Sequence, residues 1–173
     1  KITGSEDMEK LMALAKLCSR EFFDDPSLLV VVSRRILEVL ELAPVEEKKV
    51  RGKKKKKKGT KKKADPRKLD VLDACHALGL ACKEVSDFED ATRYFTRAKE
   101  GYEEQLGPDS EKTLEATYNL ISITCSSKSE LIEKMRSLVE RLLGALGEEN
   151  VVTLLTLNTL GVQLMENGEL EEA

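Results

Sequence analysis

The sequence predicts an all-α chain built of antiparallel helix hairpins, and three observations carry that expectation. Aromatic residues make up only 4% of the chain and Trp is absent, whereas charged residues reach 35% and apolar ones 40%; a balance rich in Ala, Leu, Glu and Lys favours helix over sheet. Apolar side chains recur at intervals of three and four, the spacing that gathers them on one helix face. Short polar breaks, VSD, LGPDS, SSKS, LGEEN and ENG, punctuate the second half at lengths suited to helix–turn–helix units. With 173 residues the chain holds one ordinary domain or a short repeat array, and it is small for most enzyme barrels.

The first predicted helix covers 6–23, where Met8, Leu11, Ala15 and Cys18 share a face. The turn Asp24-Asp25-Pro26 ends it. Ser27 is placed to cap a second helix reaching Leu42, with Leu29, Val32, Ile36, Val39 and Leu40 inward, and Ala43-Pro44 stops it because proline disfavours helix in the residue before it. These two helices define an N-terminal hairpin at 1–47. Residues 48–68 follow as a lysine-rich linker, low in complexity and interrupted by Gly52 and Gly59. From Leu69 to Ala173 the pattern is helical again, over 69–84, 88–105, 110–126, 129–145 and 150–166, with another helix starting near Glu169.

A net charge of −3 conceals a segregation, because residues 48–68 hold fourteen Lys or Arg against one acid, which leaves −16 on the other 152 residues. An acidic body repels nucleic acid and anionic membrane, so such binding would have to come from the basic block and would weaken steeply with salt. The longest apolar runs, Leu11 to Ala15 and Leu28 to Val32, have five residues each, against the roughly 20 that a membrane span requires. The chain begins at Lys1 without a charged start, apolar stretch and cleavage site, so we expect no secretory signal and a piece of a longer protein. The cysteines Cys18, Cys75, Cys82 and Cys125 are dispersed and read as free thiols of an intracellular protein.

Internal recurrence is more informative than any single helix. Leu106-Gly107 returns forty residues later as Leu146-Gly147, and Thr113-Leu114 returns as Thr153-Leu154. Gly79 aligns with Ile121 and then Gly161, at spacings of 42 and 40. After Gly79 come Phe88, Ala91, Phe95 and Ala98 at offsets of nine, twelve, sixteen and nineteen, and Gly161 repeats the opening with Leu170 and Ala173. Glycine inside a helix costs about 1 kcal/mol against alanine, so Gly79 and Gly161 are expected where paired helices approach closely, with Ala91 and Ala98 opposite. Phe88 and Phe95 are expected to fill the larger gaps.

These residues resemble tetratricopeptide repeats, and AKEGYEEQLGPDSEKTLEATYNL at 98–120 is similar to the extended repeats of kinesin light chains. The resemblance covers 69–173: two units, 69–109 and 110–149, and the start of a third. It departs from the family pattern where Ile121 replaces a small residue and Leu131 stands where alanine is expected, so packing there should loosen. The resemblance implies a right-handed superhelical solenoid whose first helices line a concave groove for an extended peptide or a partner helix. Carried over, the groove positions are Asp73, His76, Leu80 and Lys83, then Glu115, Tyr118, Asn119, Ser122 and Cys125, then Leu155, Asn158, Val162 and Met165. Asn119 matches an asparagine that relatives use to hold a peptide backbone or carboxylate, but the cations that complete a carboxylate clamp are missing. Each of these is alternatively an ordinary solvated or capping position.

Catalytic chemistry finds little footing. Cys75 and Cys82 lie two helical turns apart, roughly 10 Å by rise, and cannot share a zinc ion with His76. One histidine without a nucleophile turn makes no triad, and Gly52-Lys53 lacks the rest of a phosphate loop. The pairs Glu103-Glu104, Glu148-Glu149 and Glu171-Glu172 read as solvated faces and helix ends. We therefore expect a non-enzymatic adaptor or scaffold with protein partners, without a metal, cofactor or small-molecule substrate, in the cytoplasm or on the cytoskeleton. The alternative places function in Lys53, Lys54, Lys55, Lys56, Lys57, Lys58, Lys61, Lys62 and Lys63. That block reads as a solvated insert, as a contact for a microtubule tail, RNA or anionic membrane, or as a nuclear-import signal. No aromatic interleaves the lysines, so base stacking is not indicated.

Overall fold

The computed structural model describes residues 26–42 and 64–168, and among them it contains six helices: α1 (Pro26–Leu42), α2 (Pro66–Glu84), α3 (Phe88–Leu106), α4 (Glu111–Thr124), α5 (Lys128–Leu146) and α6 (Val151–Asn167). The fold is all-α, as the composition and periodicity predict. The helix expected over 6–23, the side chains of Leu29 and Leu40, the lysines from Lys53 to Lys63, and the helix start at Glu169 with its Leu170 and Ala173 lie outside the described residues.

Helix starts are fixed by short polar side chains that accept from otherwise unpaired backbone N–H groups. Asp65 accepts from Arg67 N at 3.1 Å, Asp87 from Asp90 N at 3.2 Å, Ser110 from Thr113 N at 3.3 Å, Ser127 from Glu130 N at 3.2 Å and Asn150 from Val152 N at 2.8 Å. Two starts differ from expectation. Helix α1 begins at Pro26, so Ser27 sits in its first turn instead of capping it, and α2 begins at Pro66, which takes Arg67 and Lys68 out of the expected linker. In both cases proline opens the helix, where its missing N–H leaves nothing unsatisfied. The recurrent Leu-Gly is a stop signal: Gly107 and Gly147 close α3 and α5 at φ of 99° and 82°, a backbone that side chains other than hydrogen rarely adopt. Thr113 Oγ1 then donates to Gly107 O at 2.8 Å, tying the stop to the next helix.

Each helix packs against its neighbours in sequence, and α4 also touches α6. Two apolar clusters result. One gathers Leu37 of α1, Leu72, Cys75, Leu78 and Cys82 of α2, Ala91, Tyr94, Phe95, Ala98 and Tyr102 of α3, and Ala116 of α4. The other gathers Leu114 of α4, Ile132, Met135, Leu138, Val139 and Leu142 of α5, and Val152, Leu160 and Leu164 of α6. Gly79 meets the expectation of close approach: a Cβ there would lie 2.8 Å from two ring carbons of Phe95. Gly101 plays the same part from α3, since its missing side chain leaves room for that of Leu72. Phe88 departs from expectation: as the first residue of α3 it has neighbours on one side only and stays 51% exposed. Beside Ile121, where looser packing is expected, a cavity of about 170 Å³ opens between α4 and α5, lined by Thr117, Ile121, Lys134, Ser137, Leu138 and Arg141.

Candidate partner-binding surface

Where α2, α3 and α4 meet, a polar junction forms from residues far apart in sequence. Asp73 of α2 accepts from the Tyr102 hydroxyl at 2.6 Å and from Lys112 Nζ at 2.5 and 2.7 Å. His76, one turn on, sets its ring edge-on to Phe95 and Tyr102, with centroids 5.4 and 6.5 Å away. Its Nε2 lies 3.2 Å from Asn119 Nδ2, which also donates to Glu115 O at 3.2 Å. An amide nitrogen donates, so Nε2 accepts and the imidazole is neutral. Burial pushes the His76 pKa down to about 4, Asp73 opposing and Lys112 assisting. The Glu115 carboxyl moves the other way, raised by burial and by Glu111. Burial and the bond to Asp73 likewise hold the Tyr102 hydroxyl protonated.

The expected groove positions therefore divide into two sets. Asp73, His76, Glu115 and Asn119 come together in the junction, and Asn119 is only 5% exposed, its amide nitrogen committed within the chain. Tyr118 reaches α6, its hydroxyl 3.0 Å from Thr159 Oγ1, and Ser122 donates to Asn119 O at 2.8 Å. Cys125 ends α4 as its C-terminal cap, and burial raises its thiol pKa. Lys83 lies partly buried in the last turn of α2, and Leu80 on the same helix is exposed. Leu155, Asn158, Val162 and Met165 of α6 all face solvent.

Sequence reasoning missed two things here. Tyr102 and Lys112 complete the junction from 29 and 39 residues beyond Asp73, with no local pattern to announce them. Val151, Leu154 and Leu157 extend the exposed apolar surface of α6. Its signal was legible in the many apolar residues of α6, more than its contacts with α5 and α4 cover.

Two other places gather polar side chains, a turn and a cleft. Cys82, Asp87 and Asp90 bring a thiol and two carboxylates within 4.8 Å of one another at the α2–α3 turn. Asp90, however, is paired with Arg34 and Arg93, each at 3.0 Å, and the Asp87 carboxylate caps α3. Burial, with both aspartates, raises the Cys82 thiol pKa, so a cation would meet two guanidinium groups and a thiol that resists ionising. An open cleft of about 510 Å³ between α1 and α3 is lined by Arg34, Leu37, Glu38, Glu41, Asp90, Arg93, Tyr94 and Arg97. Its arginines are spent on interhelical and local pairs, Arg34 and Arg93 on Asp90 and Arg97 on Glu41. The cleft thus seals a helix contact with opposed charges.

No helix among the described residues is long and apolar enough to cross a membrane. No family model matches the chain, and no curated protein matches it.

Proposed function

We propose that this chain is a non-catalytic adaptor, a tetratricopeptide-like array that takes a peptide or partner helix on the surface of its first helices, α2, α4 and α6. The observation that carries the reading is the exposed side of α6, where Leu155, Val162 and Met165 stand in solvent at helical spacing. Apolar contacts of that extent on a folded chain mark interaction surfaces. Support for the array comes from the forty-residue return of the Leu-Gly stop, from Gly79 lodged under Phe95, and from the contact of α4 with α6. A reducing, cytoplasmic setting suits the free thiols Cys75, Cys82 and Cys125.

The test is selection of a displayed random-peptide library on the full chain and on its Leu155→Asp/Met165→Asp variant. We expect families of peptides enriched on the first and lost on the second. Enrichment that is absent, or equal on both, overturns the adaptor reading for this surface.

A further inference from the structure

Helices α1 and α3 both pack along α2, and the open cleft of about 510 Å³ lies between them. Two ion pairs cross it, Arg34 to Asp90 at 3.0 Å and Arg97 to Glu41. Arg34 and Glu41 stand two turns apart on α1, as do Asp90 and Arg97 on α3, so the crossings lie about 10 Å from one another. On α2 the same interval separates Cys75 from Cys82, both fully buried. Each thiol lies close to one crossing. Burial raises both pKa values, that of Cys75 to about 11; Arg97 and Glu41 are the charges that act on Cys75, and Asp90 and Arg34 are among those that act on Cys82. The three helices thus share one register, and Leu37 of α1 joins both cysteines in a common apolar cluster.

What holds α1 in this place is modest. Among its described side chains only Ser33, Ile36 and Leu37 are buried, whereas Arg34, Glu41 and Arg97 are between 42% and 50% exposed. Ion pairs so open to water are weak and are screened by salt. Release would strand no carboxylate, because Asp90 keeps Arg93 at 3.0 Å. It would also leave Phe95 seated on Gly79, since neither belongs to α1. An edge helix with few buried contacts opens more readily than the body it rests on. Both thiols would then meet water and lose the burial that keeps them protonated and inert.

We infer that α1 is a clasp over Cys75 and Cys82, and that its release as one body makes both cysteines modification sites for a small disulfide. In that step the exposed thiol gives its proton to solvent, its sulfur bonds to one sulfur of the disulfide, and the other sulfur leaves as a thiolate. The adduct then holds the clasp open, because both side chains are fully enclosed when α1 is seated and an added group would overpack the seam.

The experiment treats the full chain with oxidised glutathione and follows each cysteine by peptide mass mapping, with hydrogen exchange recorded on the same samples. Glu41→Arg sets like charges across the cleft and should speed modification of Cys75 and Cys82 together by about fivefold, the factor that loss of an exposed pair supports. Raising salt from about 0.1 M to about 1 M should speed both in the original chain. Glu41→Arg/Arg97→Glu, which rebuilds the pair in reverse, should return them to the original rate. Cys125 should keep one rate throughout, and amides of α1, but not of α3, should exchange faster in Glu41→Arg. After free glutathione is removed, α1 of the modified chain should stay fast, and dithiothreitol should slow it again.

Unchanged rates at Cys75 and Cys82 in Glu41→Arg overturn the clasp. Acceleration shared by Cys125 and the α3 amides means loosening of the whole chain and overturns it equally. Acceleration of Cys75 without Cys82 makes the opening a frayed end and overturns release as one body. Slow exchange of α1 with glutathione still attached overturns the holding of the clasp by its adduct.

Discussion

Replacing His76 with Gln removes one titrating group from the α2–α4 junction and should change how stability depends on pH. The folded chain holds this imidazole neutral, with a pKa of about 4 against an ordinary 6.5. Because the folded pKa is depressed, the proton prefers the unfolded chain between those values. The contribution of His76 is therefore complete above about pH 6.5 and is lost as pH falls toward 4. At 1.36 kcal/mol per unit, the loss between about pH 8 and about pH 5 is about 2 kcal/mol, a large share of the stability of a small domain. Glu115, whose raised pKa acts in the opposite sense, is present in both proteins and largely drops out of the comparison. The assay is urea unfolding followed by far-UV circular dichroism at both pH values for each protein. We expect the original chain to lose about 2 kcal/mol more than His76→Gln on acidification. Parallel losses would refute the buried, neutral histidine and with it the Asn119 contact.

Gly79→Ala should destabilise by about 1 kcal/mol, because overpacking against Phe95 at about 1–3 kcal/mol outweighs the helix-propensity gain of about 1 kcal/mol. In a Phe95→Leu background the same change should turn neutral or stabilising, and thermal unfolding of the four proteins checks both signs. Alkylation of the native chain followed by peptide mapping should modify Cys125 ahead of Cys75 and Cys82, since both of the latter are fully buried and burial lifts the Cys75 thiol to about 11. Substituting Ser for Lys53 to Lys58 should remove salt-sensitive binding to a polyglutamate probe and leave library-selected peptides bound to α6; loss of both would make the lysine block the main contact.

Much of the fold was legible because its determinants are local. The caps Ser110, Ser127 and Asn150 and the stops Gly107 and Gly147 act within one turn of chain, so helix bounds read from sequence agree with the structure within about three residues. Gly79 was legible for the same reason, being an expensive residue at a repeated place. What escaped depends on distance. Gly101 carries no local signal, because what requires it is Leu72, 29 residues earlier, whose side chain lies over it. Phe88 showed the right offset from Gly79, but its position at the first turn of α3 leaves one side without neighbours. The junction was half legible: Asp73, His76, Glu115 and Asn119 were picked for a groove, whereas their mutual contacts, and the entry of Tyr102 and Lys112, arise only when three helices converge.

The division of the interior has a kinetic meaning. Helix α4 lends Ala116 to one cluster and Leu114 to the other, and the cavity beside Ile121 weakens its seam with α5. Thr113 ties the start of α4 to the stop at Gly107, but its counterpart Thr153, fully buried at the start of α6, has a hydroxyl without a partner among the described residues. Opening should therefore proceed in two cooperative steps, with α5 and α6 releasing before α2 and α3. Amides of the last two helices would exchange with solvent early, and a ligand seated on α6 would slow that exchange, so occupancy of the surface would be recorded as rigidity of the weaker half.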